Sequence, residues 1–303
     1  MNNLEKIKKF INKRPKLKGA YGYGSGVFKQ SGYTDKDKPQ IDMIFVVDDL
    51  KKWHLENMKL NPKDYSLTAK LYFKSASVSK LKGNTGIVYL SNILEDGSIY
   101  KYGTIEEKDL ERYLDTWESF YLPGRFQKTI LPIIESKKIA KINEKNRESA
   151  LFTALLTLPD KEEEYKLIDI YTQICGLSYL GDTRMKFAEN PRKVLNIVEG
   201  SYDIFKDIYK TENNYFKTNK KDEIKVDYDK LMKDINKLPK CLLDSLGDVE
   251  KLDRNSIREK ILTYFTELNK NESSKQTIKG LYSNGLVRSI NYASKKVLKK
   301  IKK

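Results

Sequence analysis

Apolar residues follow two different periods along the chain. In the first 130 residues, short continuous or alternating apolar runs predict strands, and three-to-four-residue spacing predicts helices between them. The predicted strands are 40–48, 86–93 and 98–105, and the predicted helices are 4–18, 51–58 and 106–121. Later in the chain the helical period dominates, over 146–158, 163–179, 191–210, 227–236 and 256–270. The Lys-, Asn- and Asp-rich stretch 211–228 is predicted to be an exposed loop.

The change of period coincides with a predicted domain boundary. Pro123-Gly124 and Pro132 interrupt the pattern, and a polar run over 135–144 follows them. We therefore predict an α+β protein with a first domain over 1–135, a mainly helical domain over 136–285 and a tail over 286–303.

The tail has a pattern of its own. Residues 286–303 contain seven basic residues and no acid, and their apolar residues lie near one helical face. Such a basic amphipathic helix is typical of segments that bind the surface of an anionic membrane. The alternative is a helix that packs on the body of the protein with a basic outer face.

Composition narrows the classes of function. The chain has 58 Lys and Arg against 42 Asp and Glu, a net charge of +16, which favours acidic partners: nucleic acid, an anionic membrane or a polyphosphate substrate. No apolar run approaches the ~18–20 residues of a membrane-spanning helix. With two cysteines and one histidine, the chain lacks the ligands for a cysteine-rich zinc site, and a Ser-His-Asp mechanism is not favoured.

A glycine-rich turn precedes a predicted, mostly buried strand that carries an acidic residue near its start. Gly24-Ser25-Gly26 is followed, 17 positions after Ser25, by Asp42. In polymerase-beta-like nucleotidyltransferases, a Gly-Ser pair opens a helix whose N–H groups hold a triphosphate, and a following strand carries two Mg²⁺-binding acids two residues apart. Here Ile44 stands at the second acid position, and Asp48 lies ~20 Å further along a straight strand. The alternative interpretation is a tight turn before a core strand.

Short blocks spread over residues 20–300 resemble one family, in the same order. The family is the mitochondrial translocator assembly and maintenance proteins, which are CDP-diacylglycerol synthases and have bacterial members. The blocks are 23–30, 41–49, 53–57, 61–66, 101–103, Trp117, 121–128, 147–159, 178–185, 189–194, 276–280 and Tyr292. Asp64 and Pro123 depart from the family pattern, which usually has His and Ala there. The short amino terminus favours a bacterial member.

The resemblance implies a reaction and an architecture. A phosphatidate cytidylyltransferase transfers CMP from CTP to phosphatidate with Mg²⁺, giving CDP-diacylglycerol and pyrophosphate on the way to phosphatidylglycerol and cardiolipin. It implies a polymerase-beta-like nucleotidyltransferase domain, a winged-helix-like helical domain and an amphipathic tail. The attacking phosphate oxygen is already anionic, so the scarcity of histidine is no obstacle.

The resemblance also implies roles for particular residues. Asp42 is expected to bind Mg²⁺, with Asp182 or Glu189 as the second carboxylate, and Lys128 joins Asp42 and Asp182 as a catalytic residue; the alternative for Asp182 is a helix N-cap. The residues expected to contact the nucleotide are Tyr23, Gly24, Ser25, Gly26, Asn57, Tyr65, Ser66, Lys101, Arg125, Arg184 and Lys193.

Within this set, the groups have different expected partners and different alternatives. Asn57, Tyr65 and Ser66 are assigned to the cytosine or ribose. The cations Lys101, Arg125 and Lys128 are assigned to the pyrophosphate or the phosphatidate headgroup, with a solvated basic patch as the alternative. Arg184 and Lys193 belong either to a cleft between the domains or to a salt-bridged surface. His54 is expected to be a surface or helix-packing residue rather than an acid or base.

Two other classes of function are kept beside the enzyme. One is a protein that binds or modifies nucleic acid, although no recognised binding motif is found and no nucleic acid is expected. The other is a non-catalytic scaffold, suggested by Ile44. The expected location is the cytoplasmic face of the cell membrane, or the matrix side of the mitochondrial inner membrane in a eukaryote. Homodimer formation is left open.

Overall fold

The computed structural model describes residues 3–28, 39–75, 82–159, 165–182, 185, 190–210 and 214–284. Its first half is built on a five-stranded sheet in the order β3-β4-β2-β1-β5. The strands are β1 (Gly19–Tyr23), β2 (Ile41–Val47), β3 (Val88–Glu95), β4 (Ser98–Glu106) and β5 (Ile130–Ile134). The β2–β4 pair is parallel and the other pairs are antiparallel, so the sheet is mixed.

Helices cover both faces of this sheet. They are α1 (Asn3–Asn12), α2 (Leu50–Leu60), α3 (Leu67–Lys74), α4 (Glu107–Thr116), α5 (Pro123–Phe126) and the start of α6 (Lys137–Thr157). On one face, Met43 and Phe45 of β2 pack among apolar residues of α1, α2 and α3. On the other, Ile44 and Val46 pack with residues of α4, α5 and α6. Because side chains alternate along a strand, Asp42 lies on the face of Ile44.

The second half is mainly helical, with a small three-stranded sheet. Its remaining helices are α7 (Leu167–Leu177), α8 (Lys193–Glu199), α9 (Tyr202–Tyr209), α10 (Tyr228–Lys233), α11 (Lys240–Leu246) and α12 (Arg254–Asn284). The small sheet has the order β6-β8-β7, formed by β6 (Tyr165–Lys166), β7 (Phe216–Thr218) and β8 (Glu223–Val226). Trp117 and Phe120, from the chain just before α5, are buried in the core of this half beside Phe265. Within the described residues, no helix combines the length and apolarity needed to cross a bilayer.

Two of the predictions from the sequence are corrected. The stretch 211–228 contains the hairpin of β7 and β8, because Phe216 and Ile224 point into the core while Lys217 and Lys225 pair between them. The polar run 135–144 is mostly the beginning of α6, which Ser136 caps by accepting a hydrogen bond from Ile139 N at 3.4 Å.

The mixed α/β class is confirmed, with helices in the majority. Helix α6 contributes Ile139 to the core of the first half and Leu155 to the core of the second. The division at residue 135 therefore stays a prediction.

Candidate functional site

The glycine-rich turn follows β1 and closes a single helical turn. The backbone N–H groups of Val27 and Phe28 donate to the carbonyl oxygen of Gly24, at 3.1 and 2.9 Å. Gly24 has a φ of +75°, and a Cβ on Gly26 would lie 2.2 Å from the carbonyl oxygen of Gln40. Both positions therefore require glycine, one for its backbone conformation and one for close approach. A Cβ on Gly24 would lie 3.6 Å from Oδ2 of Asp42, so the turn and the carboxylate are adjacent.

Asp42 is held by neighbours on two sides. Lys101 is its register partner on the parallel strand β4, and Lys101 Nζ lies 3.6 Å from Asp42 Oδ1. Gln40 Nε2 donates to the same oxygen at 3.1 Å. Both partners thus engage Oδ1, and Oδ2 is the oxygen beside the glycine turn. The side chains of Asp42 and Lys101 are 24% and 20% exposed, so solvent reaches both charges.

Two further cations come from the short helix α5 and the residues after it. The Arg125 guanidinium lies 3.8 Å from the ring centre of Tyr121 and 5.9 Å from that of Tyr23, and it donates to the Tyr121 carbonyl. Lys128 Nζ donates to Ser178 Oγ at 2.5 Å and lies 4.5 Å from the ring centre of Tyr179. The half-buried positions of both cations differ from the solvated patch that was the alternative prediction.

Tyrosine rings lie beside all three cations. Lys101 Nζ lies 4.5 Å from the ring centre of Tyr89, and Tyr89 packs edge-on to Tyr121. Burial is the main cause that raises the pKa of Tyr23 and of Tyr89, so both hydroxyls stay protonated. We call the whole group the cation–tyrosine cluster; it consists of Lys101, Arg125, Lys128, Tyr23, Tyr89, Tyr121 and Tyr179.

The electrostatics of this place favour an anion. Three half-buried cations belong to the cluster, and one of them, Lys101, lies against the carboxylate of Asp42 beside the glycine turn. Partial burial strengthens charge interactions relative to water. Rigid aromatic rings hold the cations in place by cation–π contacts. The arrangement suits a ligand with several negative oxygens, such as a polyphosphate.

The second predicted metal ligand has a different setting. Asp182 is buried in the turn after α7, where its N–H donates to the Tyr179 carbonyl at 3.2 Å and its carbonyl accepts from Met185 N at 3.0 Å. In the part of the chain that the structure describes, no group of three or more His, Cys, Asp or Glu side chains could hold a metal ion. Arg184 and Glu189, as well as the tail 286–303, lie outside the described residues.

Asn57 and Tyr65 lie on the far face of the sheet from Asp42. Asn57 Nδ2 donates to the hydroxyls of Tyr65 and Tyr102, both at 2.9 Å. Tyr102 follows Lys101 directly on β4, so the two side chains project to opposite faces. Asn57 is fully buried and Tyr65 is 4% exposed. In this arrangement neither side chain offers a surface to the cytosine or ribose, and we correct that part of the prediction.

Ser66 and Lys193 lie at the amino-terminal ends of helices α3 and α8. Ser66 is the N-cap of α3 and accepts a hydrogen bond from Ala69 N at 3.1 Å. Lys193 is the first residue of α8, which packs on α7. The assignment of both to the nucleotide stays a prediction.

His54 is confirmed as a helix-packing residue. Its ring stacks on Phe73, and its nitrogens bond Tyr65 at 2.8 Å and Thr104 at 2.5 Å. Burial lowers the pKa of His54 to about 3, so the ring is neutral near pH 7, and its contacts with Tyr65 and Thr104 place it on the face of the sheet opposite Asp42.

A buried ion pair behind the site was missed by the sequence analysis. Arg14 Nη2 lies 3.1 Å from Asp64 Oδ2, and the same carboxylate oxygen accepts from the Tyr102 hydroxyl at 2.8 Å. Glu95 is the second acidic partner of Arg14, at 3.0 Å. Asp64 departs from the family pattern, but no signal in the sequence joins it to a residue 50 positions earlier.

Comparisons with known proteins show the family of the chain. A family model described as "Phosphatidate cytidylyltransferase, mitochondrial" matches residues 6–299. The chain belongs to this family. It is 42% identical over 210 residues to the mitochondrial phosphatidate cytidylyltransferase of Schizosaccharomyces pombe, covering 68% of this chain and 52% of that protein. It is 30% identical over 304 residues to the protein of that name in Rattus norvegicus, covering 92% of this chain and 89% of that protein.

These matches confirm the resemblance found in the sequence blocks. The chain spans about half the length of the relatives from Schizosaccharomyces pombe and Dictyostelium discoideum that it matches. Membership of the family therefore rests on the match over 6–299.

Proposed function

We propose that the protein is a phosphatidate cytidylyltransferase, which transfers CMP from CTP to phosphatidate and releases pyrophosphate. One observation carries the proposal: in a chain of this family, the glycine turn, Asp42 and three cations meet at one end of the sheet. The oxygens of CTP and phosphatidate are the kind of ligand that such a place binds.

The finer architecture is part of the proposal. We assign residues 1–135 to a polymerase-beta-like nucleotidyltransferase domain and 136–285 to a winged-helix-like domain. The mixed five-stranded sheet with helices on both faces supports the first assignment, and the helices with the small β6-β8-β7 sheet support the second.

The glycine turn and Asp42 form the proposed nucleotide end of the site. Backbone N–H groups near Gly24, Ser25 and Gly26 would bind phosphate oxygens, which approach closely because two of these residues have no side chain. Asp42 Oδ2 beside this turn fits a magnesium ion, because Mg²⁺ commonly takes one or two carboxylates and completes its shell with phosphate oxygens and water. When bound, the ion would neutralise phosphate charge. Asp182 stays the proposed second carboxylate.

The cations of the cluster would bind the two anionic substrates, CTP and phosphatidate. A phosphatidate oxygen attacks the α-phosphorus of CTP, a new P–O bond forms, and the bond to the pyrophosphate oxygen breaks. Lys101 and Arg125 lie nearest to Asp42 and Tyr23, so we assign them to the triphosphate. Lys128 bonds Ser178 of the helical half, and we assign it to the phosphatidate headgroup.

A peripheral position on a membrane is also proposed. The substrate phosphatidate resides in a bilayer, and the curated relatives carry the word "mitochondrial" in their names. We propose that the basic tail 286–303 contributes to binding an anionic membrane surface. Among the residues that the structure describes, no specific contact supports the alternative that the protein binds nucleic acid.

Asp42→Asn tests the proposal. Purified protein is incubated with labelled CTP, Mg²⁺ and phosphatidate vesicles, and lipid-linked CMP is measured. We expect the wild type to form the product and Asp42→Asn to lose at least 100-fold in rate, a typical effect of losing electrostatic stabilisation at the reacting phosphate. Asp48→Asn is the matched control, because Asp48 follows the same strand and is largely exposed. Equal activity of Asp42→Asn at an unchanged melting temperature would remove the metal role, and an inactive wild type would support the scaffold hypothesis.

A further inference from the structure

Three strongly exposed leucines surround the turn between α2 and α3. Leu60 ends α2 and is 58% exposed, while Leu67 and Leu71 on α3 are 76% and 62% exposed. Leu67 and Leu71 are four residues apart on a helix, so they share a face. We call these three residues the leucine patch. Large exposed apolar groups on one surface of a soluble protein usually mark an interaction site.

Lysines predominate around the leucine patch, although the exposed Glu56 lies one turn before Leu60 on α2. Over residues 57–75 the sequence has four lysines and one acid, and that acid, Asp64, is buried against Arg14. The lysines are Lys59, Lys63, Lys70 and Lys74, three of them exposed and Lys70 half-buried. Leu94 is also 74% exposed, but it precedes Glu95 and Asp96, so we leave it outside the patch.

We infer that the leucine patch and its lysines form a docking surface for an anionic lipid bilayer, in addition to the tail. Apolar side chains that enter the interface, ringed by lysines that meet lipid phosphates, are the combination by which proteins bind such a surface. The basic tail of this chain is a poorer occupant, because it would bring seven basic residues against four lysines. A second copy of the patch would also place lysine against lysine.

The patch lies at the same end of the sheet as the cation–tyrosine cluster. His54 bonds Thr104, the register partner of Phe45, and Asn57 bonds Tyr102, the register partner of Met43, so α2 runs back along β2 toward the end where Asp42 stands. The turn between Leu60 and Leu67 contains Asp64, which accepts a hydrogen bond from the Tyr102 hydroxyl. Tyr102 follows Lys101 on β4. The patch is thus on the opposite face of the sheet from Asp42 but toward the same end, so a bilayer bound there would lie near the end that holds the site. This inference deepens the proposed function, since it rests on phosphatidate being the lipid substrate.

The first test measures binding of the full chain to vesicles without CTP. The vesicles are phosphatidylcholine alone, or phosphatidylcholine mixed with phosphatidylglycerol. We expect the Leu67→Ser/Leu71→Ser variant to lose about tenfold or more in affinity for the mixed vesicles, which corresponds to about 1.4 kcal/mol. Ile204→Ser is the matched control, because Ile204 is an exposed isoleucine on α9, in the helical half. Unchanged affinity of the double variant, or an equal loss in the control, would overturn the inference.

The second test asks whether the patch enters lipid. Trp53 and Trp117 are buried, so the tryptophan of a Leu71→Trp variant would be the exposed fluorophore of the described residues. On mixed vesicles we expect its emission to shift to shorter wavelength and to be quenched by brominated lipid. A tryptophan that is shielded before lipid is added and exposed by deleting 286–303 would show that the tail covers the patch. A dimer that Leu67→Ser/Leu71→Ser dissociates would show a second copy there. Either result would refute the lipid surface.

Turnover separates this inference from the proposed function. Leu67→Ser/Leu71→Ser should retain turnover on a short-chain, water-soluble phosphatidate and lose it on vesicle-borne phosphatidate. If the wild type transfers no CMP to either substrate, the proposed function fails, while the binding and quenching results still decide whether the patch contacts lipid.

Discussion

Replacement of Asp64 by alanine removes the carboxylate that joins Arg14 to Tyr102. The Arg14 side chain is completely buried, so its guanidinium loses a partner that water cannot replace. Removing one member of a buried ion pair costs about 3–5 kcal/mol of folding free energy. Glu95 still contacts Arg14 at 3.0 Å and is 20% exposed, which favours the lower end, about 3 kcal/mol. At ~2–3 °C per kcal/mol for a chain of this size, the melting temperature should fall by about 6–9 °C.

Urea unfolding followed by circular dichroism measures this loss. A second variant, Arg14→Met/Asp64→Leu, removes both charges and should recover to within about 1 kcal/mol of the wild type, because apolar replacements of a whole buried pair are often neutral. Asp64→Asn should fall between the two, since its amide oxygen can still accept the Tyr102 hydroxyl. A loss below about 1 kcal/mol for Asp64→Ala would refute the reasoning, and a double variant less stable than Asp64→Ala would show that the charges themselves stabilise the fold.

Two further predictions concern the glycine turn and His54. Gly26→Ala should raise the KM for CTP by about tenfold or more, because its Cβ would meet the Gln40 carbonyl at 2.2 Å and displace the turn; an unchanged KM would show that the turn does not position the nucleotide. The pKa of His54 is lowered to about 3 by burial, against an ordinary value of 6.5, so its contribution to stability is full above pH 6.5 and is lost as the pH falls toward 3. Between pH 7 and 5.5 the wild type should lose about 1 kcal/mol through this residue, and His54→Phe should lack that part of the slope in urea unfolding; identical slopes would contradict the assignment.

The sequence predicted the parts of the site that are local in the chain. Asp42 on a central strand, the glycine turn before it and the three-residue spacing of Arg125 and Lys128 are all visible in short segments. Contacts across the fold were not predictable in the same way. Ser178 and Tyr179 meet Lys128 from 50 and 51 positions away, and only the parallel register of β2 and β4 places Lys101 beside Asp42.

Polarity misled the sequence analysis at two places. Asn57 and Tyr65 have the hydrogen-bonding groups of base-contacting residues, but their partners are each other and Tyr102, inside the protein. Composition also hid the hairpin of β7 and β8, since lysines and acids outnumber the few apolar residues that point inward. In both cases the deciding information was which side of an element faces the core.

The position of Trp117 and Phe120 ties the stability of one half to the other. Both side chains leave the first half and are buried beside Phe265 of α12, and the Tyr264 hydroxyl donates to the Trp117 carbonyl at 3.1 Å. An isolated fragment of residues 1–135 would expose these two aromatic rings to water and lose Ser178 and Tyr179 from the wall around Lys128. The helical half is therefore a structural component of the cation–tyrosine cluster, and loosening of that half would change the surroundings of Lys128 directly.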